Sequence, residues 1–152
     1  MIKISRILCP VDFSETSKRA FEYGLDLAGQ LGAELDVIHV FQLPAYTLPE
    51  GGFEFTPNFE TELSNRLQRQ LDEFIKQPAE PSVKITTALY EGIPYVEITR
   101  AAKKRGADLI VIGTHGRTGF AHLLIGSVAE RVVRTSEVPV LSIRSRETSL
   151  PG

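Results

Sequence analysis

The sequence predicts one α/β domain, an open and mostly parallel β-sheet with helices on both faces. Strand-like and helix-like patterns alternate along all 152 residues, and no repeat or low-complexity tract interrupts them. Several strand segments are apolar at consecutive positions, which is typical of parallel strands buried on both faces. A chain of this length buries about two-thirds of its extended surface. We therefore expect one domain at residues 1–144 and a disordered tail at residues 145–152.

The first third of the chain predicts a strand, a helix and a second strand. Residues 4–13 form the first strand, and Ser14 is placed to cap the following helix. Gly32 is expected to end that helix, and residues 35–41 form the second strand. The apolar face of the helix recurs at helical spacing at Ala20, Phe21, Gly24, Leu27, Ala28 and Leu31.

The middle of the chain begins with its longest connection, residues 42–56, which is rich in proline and glycine. Thr56 and Pro57 are expected at the N-cap and first position of a second helix that ends at residues 78–81. Residues 83–90 alternate as a third strand. The apolar stripe of the second helix is predicted at Leu63, Leu67, Leu71, Phe74 and Ile75.

The last third repeats the pattern. Pro94 opens a third helix that stops at Gly106, and residues 107–113 form a fourth strand that is apolar on both faces. Gly126 and Ser127 begin the last helix, whose apolar residues are Val128, Val132 and Val133, and residues 138–143 form the fifth strand.

Composition excludes several classes of protein. The balance of 17 basic and 19 acidic residues gives a net charge of -2, so no basic footprint for nucleic acid is expected. The longest apolar runs fall far short of the roughly 20 residues that span a bilayer, and we expect a cytoplasmic protein without a membrane segment. Cys9 is the single cysteine, which excludes an intrachain disulfide, and it is predicted to be a buried apolar residue.

One motif stands above the background, namely Gly113, Gly116 and the pair Gly126-Ser127, between the fourth strand and the last helix. Glycine permits positive φ and close approach of the backbone to a ligand. Together with the unpaired amides at a helix N-terminus, such a loop forms an anion site. The alternative is a connecting loop with turn glycines.

Three segments of the chain together resemble the ATP-binding branch of the universal stress protein family. The segments are Pro10-Val11-Asp12 after the first strand, Val40 at the end of the second, and Gly113-Thr114-His115-Gly116 through Gly126-Ser127. The resemblance covers nearly the whole chain. It implies a Rossmann-like fold of the adenine nucleotide alpha hydrolase type, with five parallel strands in the order 3-2-1-4-5. Asp12 and Gly113 would then face each other at the topological switch point, where open α/β sheets bind ligands.

The resemblance also implies the roles of individual residues. The nucleoside end would be formed by Pro10, Val11, Asp12 and Val40. The floor of the site would be formed by Ile112, Gly113 and His115. The phosphates would be held by Gly116, Gly126, Ser127 and Val128, with Arg117 placed to reach the terminal phosphate. Ala129 replaces a hydroxyl residue that is frequent in the family, and Phe13 replaces a glycine found in many relatives.

These features predict a regulatory, stress-response protein that binds ATP, or ADP or AMP, with Mg²⁺ held mainly by phosphates and water. The P-loop pattern requires Gly-Lys before Ser or Thr, whereas Gly126 leads directly to Ser127 and no lysine follows Lys104. We therefore expect slow hydrolysis or none, and no catalytic residue or metal site made by the protein.

Two other functions stay open. An ATP-cleaving transferase or ligase on the same fold would need a glycine-rich loop after the first strand, which residues 12–17 do not provide. A nucleotide-independent interaction module would use its surface, including the aromatic residues of segment 46–59. We also expect a homodimer, or a tetramer, that pairs through the edge strand 138–143. An unidentified downstream protein is expected as a further partner.

Overall fold

The computed structural model describes residues 1–43, 58–76, 82–114 and 126–145. Within these ranges strands and helices alternate, as the sequence predicts. Their bounds are β1 (Arg6–Pro10), α1 (Glu15–Leu31), β2 (Glu34–Phe41), α2 (Phe59–Ile75), β3 (Ile85–Glu91), α3 (Pro94–Arg105), β4 (Leu109–Gly113), α4 (Ser127–Thr135) and β5 (Val140–Ile143). None of the described helices combines the length and hydropathy needed to cross a lipid bilayer.

The five strands form one sheet in the order β3-β2-β1-β4-β5, and every neighbouring pair is parallel. The predicted order is confirmed. β1 occupies the centre, where Pro10 lies opposite Ile38 of β2 and Leu8 lies opposite Ile110 of β4. The carboxyl ends of β1 and β4 therefore lie side by side at one edge of the sheet.

The helices cover the two faces of the sheet and create two apolar cores. One core joins β1, β2 and β4 to α1 and α2, with Phe21 and Leu71 fully buried. The other core joins the opposite face to α3 and α4, with Ile98 and Val132 at its centre. Cys9 is buried in the first core, as predicted, and burial raises the pKa of its thiol to about 12. The thiol is therefore unreactive at neutral pH.

Helix ends follow the predicted signals in α1 and differ in α2. The Ser14 hydroxyl accepts a hydrogen bond from the Ser17 amide, and Gly32 ends the helix in a left-handed conformation with φ 65°. α2 begins at Phe59 after Asn58. The predicted start at Thr56 and Pro57 is wrong, and both residues lie outside the described part of the chain, as do residues 44–55 of the long connection and 146–152 of the tail.

The apolar patterns predicted two strands longer than they are and two exposed residues as buried. Strand pairing covers Arg6–Pro10 rather than residues 4–13, and β5 begins at Val140 rather than residue 138. Val133 of α4 and Leu31 at the last position of α1 are 49% and 46% exposed, so both predicted core positions are wrong. Hydrophobicity alone does not distinguish a residue that pairs or packs from one that lies just beyond the neighbouring element.

A buried carboxylate ties the central strands to α3. Asp36 of β2 is fully buried. Its Oδ2 lies 3.0 Å from Nε of Arg105 and 3.1 Å from Nη1 of Arg6. The Thr86 hydroxyl donates to Oδ1, and Nη2 of Arg105 donates to that hydroxyl at 3.1 Å. These contacts join β1, β2, β3 and the end of α3 through one side chain.

The pKa of Asp36 reflects two opposing effects. Burial favours the neutral acid and raises the pKa, whereas hydrogen bonds from Thr86, Arg105 and Arg6 favour the carboxylate. The hydrogen bonds prevail, and the pKa of Asp36 lies below its ordinary value. The ionised form is therefore part of the folded state at neutral pH.

We expect Asp36→Asn to lower the free energy of unfolding at pH 7 by roughly 3 kcal/mol, because it leaves two arginines beside a neutral amide in a buried network. The stabilisation by Asp36 is complete above its unfolded pKa of about 3.9 and disappears as the pH falls through the lower folded pKa. Urea unfolding at pH 7 and at pH 3 should therefore show the difference between wild type and variant shrinking in acid. Asp26→Asn, on the exposed side of α1, is the matched control. A difference that does not depend on pH would contradict this account.

Candidate functional site

A cavity of about 300 Å³ opens at the carboxyl ends of β1 and β4. Its walls come from the turn after β1, from the end of β2, and from the N-terminal turns of α3 and α4. The described lining residues are Pro10, Val11, Asp12, Ser17, Val40, Pro94, Ile98, Ile112, Gly113, Thr114, Gly126, Ser127, Val128 and Ala129.

Nine of the twelve residues predicted for the site lie in the described chain, and all nine line this cavity. They are Pro10, Val11, Asp12, Val40, Ile112, Gly113, Gly126, Ser127 and Val128. The other three, His115, Gly116 and Arg117, lie outside the described residues. The geometry brings the nine together; the role of each in binding stays a prediction.

One end of the cavity is the N-terminus of α4. The first hydrogen bond of the helix runs from the Glu130 amide to the Gly126 carbonyl, at 3.0 Å. The amides of Ser127, Val128 and Ala129 precede that bond, so they have no acceptor within the helix. No described side chain caps this helix, and the N-cap is Gly126 rather than Ser127. Three backbone donors and the positive end of the helix dipole thus face the same space.

Asp12 supplies the acidic side chain of the lining, and its orientation is fixed by the turn that follows β1. Its Oδ1 accepts a hydrogen bond from the Ser14 amide at 3.0 Å. The Asp12 amide donates to the Ser17 hydroxyl at 3.3 Å, and that hydroxyl donates to the Ser14 carbonyl at 3.0 Å. A carboxylate has about four acceptor positions on two oxygens, so Asp12 retains acceptor capacity for a ligand.

The main chain at the end of β2 also faces the cavity. The Val11 amide donates to the Ile38 carbonyl at 2.8 Å, which is the last backbone-to-backbone bond between the β1 segment and β2 in the described chain. Backbone groups two residues apart on a parallel strand point the same way. The amide and carbonyl of Val40 therefore point past the end of β1, beside the half-buried Val40 side chain.

The described glycines of the motif have ordinary backbone angles, and at Gly113 it is the missing side chain that matters. Gly126 has φ -66°, and Gly113 is the last residue of β4 and is absent from the residues with positive φ. A Cβ on Gly113 would lie 2.9 Å from Cγ2 and 3.0 Å from the carbonyl carbon of Thr16. Gly113 is thus required for the close approach of β4 to the first turn of α1. Of the two properties that glycine permits, Gly113 uses close approach and neither residue uses positive φ.

Five lining residues were not predicted, namely Ser17, Pro94, Ile98, Thr114 and Ala129. Thr114 follows Gly113 directly, and Ala129 stands in the first turn of α4, so the glycine motif itself could have indicated both. Ser17, Pro94 and Ile98 lie near the start of α1 and α3, and no motif in the sequence marks them as site residues. Only the packing of α1 and α3 on the sheet brings them to the site.

The described walls combine apolar and neutral polar groups. Asp12 is the single ionisable side chain among the described lining residues. Such a cavity can hold an apolar, flat group against the side chains of Val40 and Ile98. It can also accept an anion at the α4 amides and a hydroxyl group at Asp12.

Comparison with known proteins gives close relatives over almost the full chain. The model of the universal stress protein family matches residues 3–144. Universal stress protein MJ0531 of Methanocaldococcus jannaschii is 38% identical over 141 residues, which cover 91% of this chain and 81% of that protein.

Solved structures agree with the fold. The structure of MJ0577, a universal stress protein of Methanocaldococcus jannaschii, superposes with a TM-score of 0.81 at 27% identity and covers 97% of this chain and 100% of that one. Two more distant structures share the fold and were solved with a ligand. A universal stress protein in complex with cAMP has a TM-score of 0.65 at 22% identity, covering 94% of this chain and 98% of that one. The Archaeoglobus fulgidus protein in complex with dAMP has a TM-score of 0.59 at 23% identity, covering 94% and 99%.

The strand order, the position of the cavity at the switch point and the match of residues 3–144 to the family model agree with one another. The chain belongs to the universal stress protein family.

Proposed function

We propose that this chain is a regulatory nucleotide-binding protein that holds ATP, or a shorter adenine nucleotide, in the cavity between the ends of β1 and β4. The observation that carries the proposal is the convergence of the α4 amides and the Asp12 carboxylate on one cavity of about 300 Å³. The amides suit phosphate oxygens, and the carboxylate suits ribose hydroxyl groups. The cAMP and dAMP complexes of two relatives support an adenine nucleotide as the ligand class.

The nucleoside would lie towards β2. The main-chain amide and carbonyl of Val40 offer one donor and one acceptor beside apolar surface, which matches the hydrogen-bonding edge and the flat faces of adenine. Ile98 lies in the same wall and is 3% exposed. The sugar would then reach Asp12, and the phosphates would reach Ser127 and Val128.

The same walls offer little for hydrolysis. Phosphoryl transfer needs positive charge on the transferred group and a residue that orients the attacking water. The described lining supplies backbone amides and one carboxylate, and that carboxylate is held by the Ser14 amide. We therefore propose slow hydrolysis or none. The described residues contain no cluster of three potential metal ligands, and Mg²⁺ would be held by the phosphates and water.

The outer edge of β5 supports self-association. The Ile110 amide donates to the Pro139 carbonyl, and the Thr114 amide donates to the Ile143 carbonyl, each at 2.9 Å. The alternate residues Val140 and Ser142 therefore point their backbone groups away from β4, to the end of the sheet. An edge of this kind is a template for another strand. We propose a homodimer in which two β5 strands pair.

We expect Val128→Asp to weaken ATP binding at least tenfold and to leave adenosine binding within twofold. Two negative charges about 6 Å apart repel by roughly 3 kcal/mol at an effective dielectric constant of 20, and adenosine carries no phosphate. Val128 is 37% exposed, and an aspartate in the first helical turn is compatible with the dipole. Isothermal titration of nucleotide-free protein with ATP-Mg²⁺ and with adenosine measures both affinities.

Val133→Asp is the matched control for this experiment, because Val133 lies on α4 and outside the lining of the cavity. It should leave both affinities unchanged. Wild-type protein that binds neither ATP, ADP nor AMP would contradict the proposed function and would favour the nucleotide-independent interaction module. Production of AMP and pyrophosphate would favour the transferase or ligase.

For self-association, we expect Ser142→Pro to convert a dimer into a monomer, because proline removes an amide on the open edge and leaves the ladder to β4 intact. Light scattering at micromolar concentration measures the mass. Ser142→Ala keeps the amide and should remain a dimer. A wild-type monomer, or a Ser142→Pro dimer, would contradict pairing through β5.

A further inference from the structure

Phe13 has an unusual backbone conformation immediately beside the cavity. It is the one described residue other than glycine with positive φ, at 66°. This left-handed region is unfavourable for a bulky side chain. Phe13 joins Asp12, which lines the cavity, to Ser14, which caps α1. Such an outlier beside a binding site points to a function for the residue that adopts it.

The Phe13 side chain lies on the other side of the turn, away from the cavity. Its ring is 4.4 Å from the ring of His39 and 5.7 Å from that of Phe74, between ring centroids. Phe74 in turn lies 5.7 Å from the fully buried Phe21. The Phe13 ring is therefore anchored between β2 and α2, and neither Phe13 nor Phe74 lines the cavity.

His39 holds the same turn from β2. Its Nδ1 lies 2.7 Å from the Val11 carbonyl oxygen. Because a carbonyl oxygen only accepts, Nδ1 carries the proton in this contact. The His39 ring is thus fixed by Val11 on one side of the turn and contacts the Phe13 ring on the other. Residues 11–13 are braced from β2 and, through Phe74, from α2.

We propose that Phe13 is a positioning residue whose ring contacts, braced by Phe74 of α2, hold the Asp12 carboxylate in its binding orientation. Loss of the Phe74 ring would let Phe13 leave the left-handed conformation. The hydrogen bond from the Ser14 amide to Asp12 Oδ1 depends on that conformation, so the carboxylate would turn as well. α2, which contributes no described residue to the cavity, would in this way control the affinity of the site.

The test is Phe74→Ala in two backgrounds. In the wild-type background we expect ATP affinity to fall five- to tenfold, and the Ser14 amide to exchange with solvent about tenfold faster by NMR, relative to the Val111 amide in the central sheet. In the Phe13→Gly background, where positive φ costs nothing, Phe74→Ala should change affinity by less than twofold. Phe74→Tyr keeps the ring and should retain wild-type affinity.

Leu71→Ala in the same helix is the control, because Leu71 is fully buried in the core and belongs to none of the ring contacts of Phe13. It should lower stability without changing Ser14 exchange or ATP affinity. Equal effects of Phe74→Ala and Leu71→Ala on both readouts would show that Phe74 is only a core residue and would overturn the proposal. The affinity readout rests on the proposed function, whereas Ser14 exchange does not. If the wild type binds no nucleotide, the exchange measurement alone still decides whether Phe74 controls the turn.

Discussion

The site depends on the position of β1 between β2 and β4. The chain leaves the end of β1 towards α1 on one face of the sheet, whereas β4 leads towards α4, which packs on the other face. Connections that diverge in this way leave a crevice between the two strand ends. At the end of β4, Gly113 lies so close to Thr16 of α1 that a single methyl group would not fit between them. Each described lining residue lies near the carboxyl end of β1 or β4, or on an element that packs beside those ends.

The buried Asp36 network and the cavity lie at opposite ends of the strands. The Asp36 network joins Arg6 at the start of β1, Thr86 near the start of β3 and Arg105 at the end of α3. The cavity lies at the carboxyl ends, where ladder bonds give way to turns and unpaired helix amides. Removing one partner of a buried ion pair is costly because the other charge is left uncompensated. The opposite end, by contrast, combines an outlying backbone conformation at Phe13 with helix amides that have no acceptor within α4.

The sequence predicts the helices and strands from local signals and most of the site from short motifs. Ser14, Gly32 and Gly106 are such local signals, and each forms the capping hydrogen bond expected at a helix end. Strand order came from family resemblance, because alternation along a strand carries no information about its neighbours. The nine described lining residues could be predicted because they lie at the ends of strands or at the start of α4, where short motifs mark them. Asp36 was not, since its charged partners lie 30 and 69 positions away, and a lone aspartate in a strand pattern reads as a surface position. Ser17 and Ile98 were missed for a related reason: no local motif marks either residue, and only the packing of α1 and α3 on the sheet brings them beside the cavity.

Thr114, which lines the cavity, is hydrogen-bonded both to β5 and to the start of α4. The main chain of Thr114 donates to the Ile143 carbonyl at the end of β5, and its carbonyl accepts from the Gly126 amide at the N-cap of α4. Thr114 is 2% exposed, so these bonds are shielded from water and costly to lose. A ligand that draws the α4 amides towards its phosphates acts on the helix whose N-cap is bonded to Thr114. A partner strand on β5 acts on the strand whose last carbonyl is bonded to the same residue. The main chain of Thr114 therefore connects the proposed nucleotide site to the strand that carries the proposed dimer edge.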